Sequence, residues 1–291
     1  MSVSAKPFSG VKSTTWRVIF DPAGAGPWNM AVDEVLGESA AEREIATLRF
    51  YSWSLATLSL GYFQNYSERT AHVASHNCPA VRRASGGGAI LHDQELTYSL
   101  ALPCSERAVG DAEWLYLAVH GALVKALATW GVNAVIRCQA RNSDVAKDET
   151  RELSCATEVP TPFQKTVQIQ RENQSQDSPE PFLCFQRRAG GDVIVGSTKI
   201  AGSAQRRRRG AILQHGSVLL EQSRLAPELS GIFELTGVRI SPDDLQKKWL
   251  AGLAKQLQFA GQPAKLSSAE VVRAKELATL KYDHSDWTNR R

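Results

Sequence analysis

The chain has 291 residues, 43% of them apolar, enough to bury a large core in one domain or in a domain with a small appendage. No stretch approaches the roughly 18 uninterrupted apolar residues of a membrane helix, and the opening residues lack the charged-then-apolar layout of a signal peptide, so a cytoplasmic protein without membrane association is expected. The net charge of +4, from 34 basic and 30 acidic residues, is too mild for general nucleic-acid binding; the basic residues bunch instead at Arg206-Arg207-Arg208-Arg209, which points to a local acidic partner.

In chain order, residues 16 to 20 read as a strand. The segment from Asn29 to about Arg43 reads as a helix capped by Asn29, with Met30, Val32, Val35 and Leu36 in a helical distribution. Strand-like runs follow at Leu48 to Trp53 and Thr57 to Phe63, then a short helix from Ser67 with Glu68 in its first turn. Ala80 to Arg83 and Ala89 to His92 flank a triple glycine, and Leu96 to Leu102 is rich in β-formers, which together predict a mixed sheet. Asp111 opens a long amphipathic helix whose Leu115, Val119, Leu123, Leu127 and Trp130 recur at helical spacing until Gly131.

From Arg141 to Pro181 the chain turns polar and proline-bearing, the composition of an exposed, partly disordered insertion. Short runs from Leu183 to Leu220, broken at Gly190-Gly191, at Gly196-Ser197 and at the arginine run with Gly210, predict a four-stranded meander. Ser241-Pro242-Asp243-Asp244 has the layout of a helix start, and another helix is expected near Ser267 or Ser268. No internal repeat is present.

The five cysteines (Cys78, Cys104, Cys138, Cys155, Cys184) are odd in number, widely spaced and without a CxxC pair, so neither a disulfide framework nor a zinc site is signalled. The strongest local pattern is Arg82-Arg83-Ala84-Ser85-Gly86-Gly87-Gly88-Ala89-Ile90-Leu91-His92-Asp93. Three glycines between strands let the backbone approach a ligand and turn N–H groups toward it, although by themselves they fit a plain hairpin loop equally well. About a hundred residues on stands Lys199-Ile200-Ala201-Gly202-Ser203-Ala204-Gln205, followed by Gln214-His215-Gly216-Ser217.

These blocks, in this order, resemble the catalytic domain shared by lipoate ligases, octanoyltransferases and biotin ligases. The opening Asn29-Met30-Ala31-Val32-Asp33-Glu34 and the closing Lys281-Tyr282-Asp283-His284-Ser285-Asp286-Trp287 resemble the two ends of the same family. The similarity spans most of residues 16 to 287, with 141 to 181 outside it. It implies an α+β fold, a central mixed β-sheet flanked by helices, distantly like the class II aminoacyl-tRNA synthetase core. On that basis residues 16 to 235 are expected to form the catalytic domain and 236 to 291 a helical segment that packs on or completes it.

Individual residues choose the branch. ATP-dependent lipoate ligases of this family usually follow His-Asp with Gly-Asn and carry Asn-Asp where Cys184 stands. Here Gln94-Glu95-Leu96-Thr97-Tyr98-Ser99 and Cys184-Phe185-Gln186 look like the cysteine-dependent octanoyltransferases, whereas Ala84-Ser85-Gly86-Gly87-Gly88 is spelled as in the ligases. The resemblance then implies acyl transfer from octanoyl acyl carrier protein, through a Cys184 thioester, to a lysine of a lipoyl domain, such as glycine cleavage H protein or a 2-oxoacid dehydrogenase E2. A thioester is already activated, so no cofactor or metal is expected. ATP and magnesium belong to the ligase alternative; transfer between lipoyl domains and a non-catalytic binder of lipoyl domains or acyl carriers are the others.

Cys184 precedes Lys199 by fifteen positions, and two turns between them would bring both to one pocket. A free thiol is mostly protonated at neutral pH, and a nearby ammonium favours the thiolate. The bland alternatives are a cysteine that is a small buried hydrophobe and a lysine that faces solvent. Arg82, Arg83, Ser85, Gly86, Gly87, Gly88, His92, Gly202, Ser203, Ala204, Gln205, His215 and Gly216 are the expected substrate-binding set, with His92 and His215 either touching substrate or orienting loops. Backbone N–H groups of the glycine loop or of Gly202 to Ala204 are candidates for holding an oxyanion. Arg206, Arg207, Arg208 and Arg209 are either a solvated turn or, near the pocket rim, a docking site for an acidic carrier.

Overall fold

The computed structural model describes residues 15–104, 111–137 and 180–291. The polar stretch from 141 lies outside the described residues up to 179, as do Cys138 and Cys155. β1 (Thr15–Phe20), α1 (Gly26–Arg43) and β2 (Ile45–Tyr51) form a crossover unit whose two strands pair in parallel. β3 (Thr57–Leu60), β4 (Ala80–Arg82) and β5 (Ile90–His92) form a small separate sheet in the order β4-β3-β5. Then come β6 (Glu95–Pro103), α2 (Asp111–Ala128), β7 (Ala134–Ile136), β8 (Val193–Val195), β9 (Thr198–Arg208) and β10 (Ala211–Leu219). The chain closes with α3 (Ile232–Thr236), α4 (Pro242–Leu257), β11 (Gln262–Pro263), α5 (Ser268–Leu277) and α6 (Ser285–Thr288).

Among the described residues the large sheet has eight strands in the order β11-β1-β2-β6-β10-β9-β8-β7, parallel from β11 to β2 and antiparallel beyond. This is the mixed sheet flanked by helices that the resemblance implied. All nine residues of β6 and of β10 are buried, because both faces are covered. Tyr98, Leu100 and Leu102 point into the core under α2 and α4, where Trp249 packs on Phe50 and Tyr98 and donates its indole N–H to the Val119 carbonyl. Ala101 and Leu213 point to the other side, into the core under α1 and α5.

Three local expectations change. α1 starts at Gly26 with Pro27 in its first turn; Asn29 lies inside the helix, where its amide donates to the Gly24 and Ser52 carbonyls and accepts from Arg49, so it ties the helix to β2 instead of capping it. The helix expected from Ser67 is a 3₁₀ helix, Tyr66–Ala71, with Glu68 reaching back to the Asn65 N–H. The four-stranded meander is three strands, β8 to β10. Leu183, buried against Leu91 and Leu219, makes only an isolated bridge with Ala89, and the chain then turns at Cys184–Gln186.

Ser241 caps α4 by accepting from the Asp244 N–H, and Ser267 caps α5 by accepting from Glu270. Glu270 in turn receives Arg17 of β1 (2.5 and 2.9 Å) and Ser39 of α1 (2.6 Å), which fastens α5 to the sheet. Among the described residues no helix is long and apolar enough to cross a membrane.

Candidate active site

The Leu183–Ala89 bridge sets the site. Ala89 N–H donates to the Phe182 carbonyl (3.0 Å) and Cys184 N–H to the Ala89 carbonyl (2.7 Å), so Cys184 is pinned at the exit of the glycine loop. The chain then passes Gly190-Gly191 and Gly196-Ser197 and returns along β9, which places Lys199 Nζ 3.8 Å from Cys184 Sγ and 3.3 Å from the Cys184 carbonyl. A third acceptor, Asp192 Oδ1, lies 3.0 Å away, while Oδ2 of the same carboxylate accepts from the Ala189 N–H. Lys199 is only 4% exposed, and the Phe185 ring lies 5.7 Å from its Nζ. A thiol against a buried ammonium has the arrangement of an activated nucleophile.

Gly87, at φ +94°, takes a backbone conformation that side chains resist. The loop it bends is braced from beneath by Arg83, which donates to the Gly88 (2.8 Å) and Gly86 (3.3 Å) carbonyls and to the Ser59 carbonyl and hydroxyl (2.7 and 2.6 Å). Burial pushes the Arg83 guanidinium down to about 10, with the negative form of Cys184 opposing the change. Ser59 also meets His92 Nε2 (2.6 Å), His92 Nδ1 meets Glu95, and Trp53 stacks on the imidazole at 3.9 Å. His92 therefore stands behind Arg83 and orients it.

His215 makes a second relay. Its Nε2 shares a hydrogen bond with the Ser85 hydroxyl and its Nδ1 donates to Asp33 (3.3 Å), which also receives Arg49 (2.9 Å) and Tyr51 (3.0 Å). Burial alone would raise Asp33, but the His215 hydrogen bond and the Arg49 charge hold it below the ordinary carboxylate value. Ser85 and the loop it belongs to are thus anchored to α1 through β10.

Gly202, Ser203 and Ala204 lie within β9, paired with Ser217, Gly216 and His215. A side chain at Gly202 would meet the Lys199 Cε at 2.5 Å and the Asp192 carboxylate at 3.3 Å, so this glycine makes the room that the ion pair occupies. One at Gly216 would strike the Ser203 hydroxyl at 2.4 Å, and that hydroxyl binds both Tyr98 and His120. Gln205 is bonded to Gln214 (2.7 Å) in the same network.

Other expected site residues do not join Cys184. Arg82 is fully buried and bonded to the carbonyls of Thr288, Gly61, Tyr62 and Gln64, while its own carbonyl accepts from the Trp287 indole, so it clasps the C-terminal turn. The arginine run is not a turn at the site. Its first three members are the end of β9, and only Arg209 and Gly210, both at positive φ, make the turn into β10. At about 3.3 Å per residue, Arg206 lies about 23 Å along the strand from Lys199. There Arg206, Arg208 and Arg209 line a cleft with Glu34, Glu38 and Ala84, and Arg208 pairs with Glu34 at 2.9 Å.

Asp192 and His120 are the neighbours that sequence reasoning missed. The double glycine before Asp192 marked a tight turn, but nothing local showed that the carboxylate would face Lys199. His120 sits in the apolar pattern of α2 and carries no motif.

Residues 26–234 match the family model described as lipoyl protein ligase A/B catalytic domain. The chain is 30% identical to octanoyltransferase LipM of Bacillus subtilis, over 97% of this chain and 100% of that one, and 31% identical to octanoyltransferase LipM of Clostridioides difficile, over 95% and 99%. The fold is also that of a putative lipoate protein ligase from T. acidophilum solved with bound lipoic acid. There the TM-score is 0.68 at 20% identity, with 96% of this chain and 100% of that one covered.

Proposed function

The chain belongs to the lipoyl protein ligase A/B catalytic domain family, and we propose that within it the protein is an octanoyltransferase that works through an acyl-enzyme on Cys184. The observation that carries this reading is the placement of Lys199 Nζ 3.8 Å from Cys184 Sγ at the exit of the glycine loop. The relatives named octanoyltransferase LipM support the transferred group, and the near full-length coverage of those relatives supports the whole reaction.

In the first half-reaction the Cys184 thiolate attacks the carbonyl carbon of an octanoyl thioester carried by acyl carrier protein. The carbonyl π electrons move to oxygen and return as the carrier's thiolate leaves and takes up a proton. The Lys199 ammonium stabilises the attacking sulfur, and the loop N–H groups of Gly86 to Gly88 are the candidates for the oxyanion. In the second half-reaction the neutral amine of a lipoyl-domain lysine attacks the new thioester. The C–S bond breaks, Cys184 is released as thiolate, and the amine's proton goes to solvent, which leaves an amide. Splitting the transfer lets two protein partners use one pocket in turn. The acyl group arrives activated, so the reaction needs neither ATP nor a metal ion.

The test is mass spectrometry of the protein mixed with octanoyl acyl carrier protein in the absence of ATP. One octanoyl adduct is expected, on Cys184 and on no other cysteine. Cys184→Ala should keep the fold, since one half-buried sulfur is lost at little volume cost, yet neither take the acyl group nor pass it on. Transfer by Cys184→Ala at the wild-type rate, or an adduct that forms only with ATP and free octanoate, would overturn the reading in favour of an adenylating ligase.

A further inference from the structure

An acyl group on Cys184 would stand beside an amine. The thioester carbonyl carbon is one bond from Sγ, and Lys199 Nζ lies 3.8 Å from Sγ, so rotation about the carbon–sulfur bonds can bring the two within the roughly 3 to 3.5 Å separation of reacting groups. A lysine amine at that distance is chemically the same acceptor as the lysine of the partner protein. If its lone pair were free it would attack the thioester, break the C–S bond and release the Cys184 thiolate, which takes up the proton that the amine loses. The product is an octanoyl amide on Lys199 and an enzyme that no longer works.

The surroundings of Nζ oppose this. Its neighbours are three acceptors: Asp192 Oδ1 at 3.0 Å, the Cys184 carbonyl at 3.3 Å and Sγ at 3.8 Å. An ammonium offers one proton to each, whereas a neutral amine has only two protons and would turn its lone pair on an acceptor. Asp192 is itself fixed. Its Oδ2 accepts from the Ala189 N–H, its backbone carbonyl accepts from Arg137, and Gly202 leaves the space in which carboxylate and ammonium meet.

We propose that Asp192 is a positioning residue that holds Lys199 as an ion-paired ammonium and so prevents the acyl group from migrating from Cys184 to Lys199. The inference rests on the acyl-enzyme reading above. The other titratable and charged groups around this pair are His120 of α2, which senses both Asp192 and Lys199, Tyr116 of α2, which senses Asp192 and Cys184, and Arg83, which senses Cys184. None of them touches Nζ. Asp192→Asn keeps the shape but removes the counter-charge, and an uncompensated ammonium in a buried site is disfavoured.

The experiment uses the full chain and the octanoyl thioester of N-acetylcysteamine at pH 7.5, followed by peptide mapping before and after neutral hydroxylamine, which cleaves thioesters and spares amides. Wild type should carry octanoyl on Cys184 alone, all of it removed by hydroxylamine. Asp192→Asn should accumulate a hydroxylamine-resistant adduct of the same mass on Lys199, at least about tenfold above wild type, because the buried ammonium has lost its counter-charge. Cys184→Ala combined with Asp192→Asn should not form it, because the acyl group has to pass through sulfur. Should Asp192→Asn not fold, Asp192→Ser, whose hydroxyl can still accept from the Ala189 N–H but carries no counter-charge, supplies the same test.

A folded variant that carries only the thioester overturns the proposal. So does an amide that forms equally without Cys184. A wild type that takes no acyl group on Cys184 overturns instead the acyl-enzyme reading on which this one rests.

Discussion

His120 Nε2 and Ser203 Oγ lie 2.6 Å apart in a buried hydrogen-bond chain that ends on the Gly191 carbonyl, which can only accept. Gln205 donates to Gln214 and Gln214 to the Tyr98 hydroxyl, each at 2.7 Å; Tyr98 then donates to Ser203, Ser203 to His120 Nε2, and His120 Nδ1 to the Gly191 carbonyl. The chain closes only on a neutral imidazole, and it ends one residue before Asp192.

Stability should therefore fall in mild acid. Burial pushes both His120 and His92 below the ordinary histidine value. The unfolded chain protonates them near pH 6.5 and the native protein does so only at lower pH, so the unfolded state binds more protons in between. The stability is complete above about pH 6.5 and is lost as pH falls toward the depressed native values. Urea midpoints at pH 7.5, 6.5 and 5.5 should decline in that order, and His120→Gln should flatten part of the slope. A wild-type midpoint that does not change over this range would contradict the neutral assignment.

Lys199→Met removes the cation beside Cys184 at nearly constant volume. Iodoacetamide should label Cys184 about tenfold more slowly at pH 7 in this variant and approach the wild-type rate as pH rises, because the thiolate is the reactive form. Superimposable rate profiles would mean that sulfur and ammonium are not coupled, despite their 3.8 Å separation.

Arg82 should behave as a structural clasp. Arg82→Met strands the buried carbonyls of Gln64 and Thr288, each costing on the order of 1 to 3 kcal/mol, so a loss of about 2 kcal/mol or more is expected in urea unfolding. Early proteolytic release of the residues after Tyr282 should accompany it. Lysine cannot reproduce the forked contacts, and Arg82→Lys should recover less than half of the loss. A variant of wild-type stability that is defective only in acyl transfer would return Arg82 to the substrate-binding set.

The arginines at the β9–β10 turn lie too far along the strand to touch an acyl group at Cys184, so any part they play concerns a protein donor. Arg207→Glu with Arg209→Glu, which leaves the Arg208–Glu34 pair in place, should slow acylation by octanoyl acyl carrier protein several-fold at low salt, with the difference shrinking as salt screens it. The N-acetylcysteamine thioester should react at the wild-type rate. Equal losses with both donors would point to a disturbed pocket, and no loss with either to a solvated hairpin end.

The motifs made the large sheet, the capped helices α4 and α5, and the Cys184, Lys199 and glycine-loop set legible because their signals are local. A serine-proline-acid start caps a helix wherever it occurs, and three glycines break a strand pair in any context. Helical periodicity likewise marked α2 as a core helix, yet it hid His120, since a histidine on an apolar face looks the same whether or not it has a partner. The opening motif around Asp33 was recognisable as a block, but its link to Ser85 through His215 joins α1, the glycine loop and β10, segments about 50 and 180 residues apart.

From its sequence alone, then, this protein's family, its mixed sheet and a candidate cysteine–lysine pair could be read, because each depends on residues that are neighbours in the chain. Tertiary structure alone decided what surrounds them. It turned Arg82 from a ligand candidate into a clasp on Thr288, moved the arginine run about 23 Å along β9 from Lys199, and set the Asp192 carboxylate 3.0 Å from the Lys199 ammonium. Such pairings depend on strand register and on which faces of the sheet are covered, and these are settled only when the whole core packs.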